Sequence, residues 1–181
     1  MLPSVPPPHE DLAQRIWSHR FEFHCQARDF ISRLAMEQGW SRKFATQALE
    51  EYRKFCFLAC VSNHPITPSE QVDAVWHLHL LYTRDYWLKF CPQVLRRDFH
   101  HGPTQGGRQE QQRFYEQYSL TLQSYRQFFG TPPVDFWPSS VIRFRPSVRS
   151  RWVYLPDFWV IRKPAWLKLV FSRKIKKDGE T

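Results

Sequence analysis

The sequence predicts a mainly α-helical fold, an irregular four-helix bundle followed by an extended C-terminal segment rich in proline and aromatic residues. Three observations lead there. Apolar residues recur at helical spacing over most of the first 130 positions. Glycine is scarce, at 6, while the 14 prolines gather mainly toward the two ends. Aromatic residues are abundant, with 8 Trp, 7 Tyr and 15 Phe, so a few large side chains can fill a small core.

Residues 1–8 read as a flexible leader, 9–138 as the helical core, and 139–181 as a basic extended tail that packs on the core or leaves it. In the core, Leu12, Ile16, Phe23, Ala27, Phe30, Ile31 and Leu34 mark a first helix from about His9 to Gly39, where glycine supplies the stop. Ser41 then caps a second helix through Phe44, Ala48, Tyr52, Phe55 and Leu58, closed by Ser62-Asn63-His64-Pro65. A third helix starts at a capping box: Thr67 as cap, Pro68 at the first helical position, and Glu70 three after the cap. It runs to about Phe90, because Cys91-Pro92 interrupts it. After a loop through Gly102, Gly106 and Gly107, a fourth helix from about Gln109 to Phe129 carries Phe114, Tyr118, Leu122, Tyr125 and Phe129 on one stripe.

The net charge of +9 is unevenly placed. Residues 141–181 hold eleven Lys/Arg against three Asp/Glu, so the tail carries +8 and the first 140 residues only +1. Within the tail, Lys168, Arg173, Lys174, Lys176 and Lys177 are interleaved with Trp166, Leu169, Val170, Phe171 and Ile175. That pattern fits a contact with a protein partner or an anionic membrane surface. Nucleic acid follows from charge alone, because the sequence contains no sequence-specific recognition motif. The four cysteines, Cys25, Cys56, Cys60 and Cys91, form no C-x-x-C pair, which argues against a zinc ribbon or a thioredoxin-like motif. The first residues lack the charged and apolar regions of a signal peptide, and no run reaches the ~18 apolar residues of a membrane span. The expected location is cytoplasmic, with reduced thiols.

The chemistry-bearing residues concentrate between Val72 and Gly107. His77 and His79 are two apart, which puts them about 200° apart around a helix, so they cannot share one ion. Asp73 lies four before His77, where its carboxylate can orient or charge the imidazole as an acid–base pair. His79 shares the core-facing stripe with Val72, Val75, Trp76, Thr83 and Tyr86. There it is either a metal ligand or a buried histidine satisfied by a hydroxyl or a backbone carbonyl. If the following loop folds back, His100 or His101 could join His79 and Cys91 around zinc or another divalent metal. Trp76, Thr83 and Tyr86 would line the resulting cleft.

These residues also carry a resemblance. Asp73, Trp76-His77-x-His79, Tyr86, Cys91 and His100-His101-x-Pro103-Thr104-x-Gly106-Gly107, with Thr67-Pro68-Ser69 before and Phe136-Trp137-Pro138 after, resemble the glycine-rich-domain-containing-protein-like family over residues 10–140. Plant members of that family are linked to development and stress responses. They carry a glycine-rich tail with suggested roles in nucleic-acid or protein interaction, and those roles do not transfer to this chain. The glycine-rich tail of that family is replaced here by a basic, aromatic one. Three functions follow as expectations. The first is a binding or adaptor domain with a His-rich polar cleft. The second is a metal-dependent enzyme using the same cleft. The third is a peripheral membrane or nucleic-acid protein acting through the tail.

Overall fold

The computed structural model describes residues 6–21, 29–102 and 106–145. Cys25, Phe23, Ala27, Pro103, Thr104 and the basic tail residues Lys168, Arg173, Lys174, Lys176 and Lys177 lie outside them. The chain divides into two units between Arg145 and Pro146, and all described residues belong to the first. The described structure is helical, with no strand among the described residues. A short 3-10 turn at Pro7–His9 leads into α1 (Glu10–Ser18), followed by α2 (Phe30–Gln38), α3 (Arg42–Val61) and α4 (Glu70–Leu81). Next come α5 (Thr83–Asp85), a π-helical run at Tyr86–Leu95, α6 (Arg108–Phe129) and α7 (Ser140–Arg143). No helix among the described residues is long and apolar enough to cross a membrane.

The α3 helix is the organising element, packing against α1, α2, α4 and α6. Its buried Ala45, Ala48, Tyr52, Phe55, Cys56, Phe57 and Leu58 cover more than one face, as expected of a helix enclosed by neighbours. Ser41 caps it by accepting from the Phe44 amide at 3.1 Å, as the sequence indicates. The α6 stripe is likewise present, with Tyr118, Leu122 and Tyr125 buried and Phe129 packed at its edge.

Polar cross-links supplement this apolar packing. The buried Glu51 carboxylate on α3 accepts from the Tyr125 hydroxyl at 2.7 Å and from Trp137 Nε1 at 2.8 Å. Lys54 Nζ lies 2.8 Å from the same carboxylate. Three donors thus compensate a charge that would be costly to bury alone. The packing continues past the expected core boundary at Pro138, since Ser140 Oγ meets Ser119 Oγ and Phe144 lies against Tyr118.

Three expected helix limits are corrected. The first helix does not run from His9 to Gly39: α1 stops at Ser18, and His19 turns extended at ψ 127°. Arg53 from α3 causes much of this, donating to the Ile16 carbonyl and, at 2.9 Å, to the His19 carbonyl. A helix end leaves its last carbonyls without partners, and the guanidinium supplies them. A new helix then begins at Asp29, whose carboxylate accepts from the Ser32 amide at 2.7 Å.

The second correction concerns the start of α4. Ser69, not Thr67, is the cap and accepts from the Val72 amide at 3.2 Å. Thr67 is turned instead toward α6, its amide donating to Thr121 Oγ1 at 2.9 Å.

The third concerns Pro92, which does not end a helix running from Thr67. The helix breaks earlier, at Tyr82 with ψ 58°, and Pro92 sits inside the π-helical run that follows. A proline has no N–H for the ladder, and in a π turn the carbonyl that loses its donor lies five residues back, at Trp87. The Gln93 side-chain amide donates to the neighbouring Leu88 carbonyl at 2.9 Å, and the wider π turn makes room for the ring.

Candidate metal-binding groups

The α4 helix presents two histidines to two different environments. His77 is exposed and His79 fully buried, as their spacing requires. Each belongs to a separate group of two histidines and one aspartate.

The open group consists of Asp73, His77 and His101. Asp73 and His77 are one helical turn apart, with His77 Nδ1 3.9 Å from the carboxylate. His101 arrives from the loop after the π-helical run and donates through Nε2 to Asp73 Oδ1 at 2.8 Å. The two imidazoles stand 4.4 Å apart, centroid to centroid. Trp76 forms the floor, stacked on Phe99 at 4.3 Å and edge-on to His101 at 4.5 Å. Its indole N–H donates to the Tyr86 hydroxyl at 2.8 Å, and that hydroxyl donates to the Phe99 carbonyl. This chain of contacts fixes the backbone from which His101 projects. Side-chain exposure of 57% at His77 and 23% at His101 leaves the group accessible to solvent.

The closed group consists of His19, His79 and Asp85. Both imidazoles meet one carboxylate oxygen, Asp85 Oδ2, with Nε2 of His79 at 2.9 Å and Nε2 of His19 at 3.0 Å. Burial by itself would raise the Asp85 pKa, but hydrogen bonds from His19 and His79 outweigh it and hold the carboxyl below its ordinary range. Burial pushes His79 the opposite way to its aspartate partner and prevails, so its pKa is lowered and the ring is neutral. An ionised carboxylate only accepts, hence Nε2 of His79 carries the proton. The bare Nδ1 then accepts from the Tyr52 hydroxyl at 3.0 Å. Phe21, Phe90 and Tyr86 pack edge-on around the His79 ring at 4.8, 4.8 and 4.9 Å.

Set against the sequence, the structure brings Asp73, His77 and His101 together. It sends His79 to a different group from His101, so these two do not share a site. His100 belongs to neither group and lies exposed beside Trp87 at 5.1 Å. Cys91 also belongs to neither; it is a buried free thiol whose pKa burial raises. Thr83 is exposed rather than on the core stripe, because the break at Tyr82 resets the helical phase. His19 and Asp85 are functional candidates that periodicity did not reveal. His19 is 66 residues from Asp85, and Asp85 lies beyond a helix break. Only the buried position of His79 hinted that such partners were needed.

The UCP032817-like family model matches residues 14–129, which covers both groups and most of the described chain. The chain belongs to the UCP032817-like family. This overturns the resemblance to the glycine-rich-domain-containing-protein-like family, for which nothing else gives support. No curated protein and no solved structure matches the chain. The chemistry of this UCP032817-like chain is therefore argued from its own residues.

Proposed function

We propose that the chain is a binding domain that works through a divalent metal ion held by Asp73, His77 and His101. The observation that supports this reading is the convergence of His101, from a loop, on an aspartate and a histidine one helical turn apart, with all three side chains reachable from solvent. Histidine nitrogen and carboxylate oxygen suit zinc and neighbouring divalent ions. Three protein ligands leave positions for an oxygen or nitrogen donor from a partner or substrate. His100 and Trp87 flank the loop that delivers His101 and would contact such a ligand. The free thiols of Cys56, Cys60 and Cys91 fit a reducing, cytoplasmic setting.

Open coordination positions also favour a second reading, a metal-dependent enzyme in which the ion activates a bound water. The first reading is tested by calorimetric titration of the tag-free full chain with Zn²⁺. Asp73→Asn and His101→Ala are each expected to weaken one binding event at least tenfold, with the helical circular dichroism unchanged. Equal affinity in both variants and the parent chain rules the reading out. Hydrolysis of a model phosphate or carboxylate ester by the loaded chain, abolished in Asp73→Asn, would favour the enzyme over the adaptor.

A further inference from the structure

The closed group has a geometry that a hydrogen-bonded core histidine does not require. Two imidazoles from distant parts of the chain point the same nitrogen, Nε2, at a single carboxylate oxygen. The separations of 2.9 and 3.0 Å are those of N–H···O bonds, and all three ligand atoms lie within 4.8 Å of one another, close enough to meet on one ion. We propose that His19, His79 and Asp85 form a second, closed site for one first-row divalent transition-metal ion, bound through both Nε2 atoms and the Asp85 carboxylate. Two histidines and one carboxylate on one side of an ion are a recurrent donor set for such metals.

The surroundings serve this role. Each donor is held by something other than the ion. The Tyr52 hydroxyl sits on Nδ1 of His79, the position from which an outer partner orients a metal-bound imidazole. For an ion to take both Nε2 atoms, the His79 proton would move to Nδ1, where the Tyr52 oxygen can accept it, and the His19 proton would pass to Nδ1 of its own ring or to solvent. His19 is fixed through its carbonyl by Arg53 and through its ring by Phe21 and Phe90, at 4.8 and 5.1 Å. Asp85 ends α5, immediately after the break at Tyr82, which turns this short helix so that its carboxylate faces back toward α4. The aromatic wall around the closed group slows exchange of an ion with solvent, whereas the open group is directly accessible. The closed site ties the end of α1 to α4 and α5, across 66 residues of sequence from His19 to Asp85.

The proposal stands apart from the open-group reading, and its test keeps the two distinct. Tag-free full chain is stripped with chelator, loaded with Co²⁺, freed of excess by gel filtration, and assayed for bound cobalt. The parent chain is expected to retain two ions, Asp73→Asn/His101→Ala one, and His19→Gln one. Glutamine keeps a donor for Asp85 but ligates metal poorly, so the closed group retains its hydrogen bonding. X-ray absorption of the Asp73→Asn/His101→Ala protein should show two imidazole ligands and no sulfur, a readout independent of how His19→Gln folds. Tyr52→Phe should weaken the retained ion about tenfold. A folded Asp73→Asn/His101→Ala chain that holds no cobalt overturns the proposal, as does a retained ion with sulfur or without imidazole. Failure of the open-group reading appears instead as loss of the ion from His19→Gln while Asp73→Asn/His101→Ala keeps its own.

Discussion

The open and closed groups use the same residue types and share one helix, yet they differ in almost every physical respect. In the open group, Asp73 and His101 are each about a quarter exposed, and water can replace either partner. In the closed group His79 has no exposure and Asp85 only 7%, so each polar atom depends on protein partners. The contrast teaches that composition does not set the energetic role of such a cluster; solvent access does. Where water reaches, the groups are free for ligand exchange. Where it does not, the same groups become part of what holds the fold together.

The largest effect should come from removing the shared carboxylate. In chelator-treated protein, Asp85→Ala leaves two imidazoles without an acceptor and should cost about 2–4 kcal/mol in urea unfolding. The matching Asp73→Ala change should cost less than about 1 kcal/mol. Similar losses at both positions would break the comparison outright.

Next in size is the exchange of bound cobalt, which should be biphasic when chelator is added. The open ion is expected to leave rapidly and the closed ion slowly, at the rate at which the α1 end opens locally. A single fast phase in the parent chain would mean that the closed group is not shielded as drawn.

A smaller loss should follow Tyr52→Phe without metal, about 1 kcal/mol, because His79 Nδ1 then lacks its donor. His77→Ala, on the exposed side of the same helix, should change stability by less than about 0.5 kcal/mol. Parallel melting curves for the two variants, measured by circular dichroism, would count against the assigned difference.

Similar in size is the effect at Asp29, which caps α2 and pairs with Arg42 at 2.8 Å. The Arg42 and Ser32 hydrogen bonds lower its pKa from 3.8 to about 2. Because the folded-state value is depressed, its contribution is complete above the unfolded value of 3.8 and fades as pH falls toward about 2. Asp29→Ala should cost about 1 kcal/mol at neutral pH. The difference between the two proteins should shrink below pH 4; a constant difference down to pH 2 would exclude the cap as its source.

Legibility followed the range of the interaction. The α3 and α6 helices were readable because cap, apolar period and stop all lie within one stretch of chain. Ser41 and the Phe55–Leu58 face needed no distant partner to be interpreted. The apparent first helix misled because the apolar period continues across the break, while the residue that ends α1, Arg53, lies 34 positions from His19. Asp29 carried a readable cap signal that was obscured by the same continuous period. Pro92 shows the converse: its local penalty was foreseeable, but its place inside a helix depends on a π turn that the apolar pattern does not specify.

For the two candidate groups the division is equally clear. From sequence alone, helical geometry determined that His77 and His79 must serve different environments, because side chains two positions apart diverge around a helix. Only the tertiary structure decided who joins each of them. His101 crosses 28 residues to reach Asp73, and His19 crosses 66 to reach Asp85. Such partners are chosen by how loops and helix ends pack, through a cap supplied by Arg53 and a break at Tyr82. Periodicity records which face of a helix is buried; it carries no information about which distant side chain will arrive there.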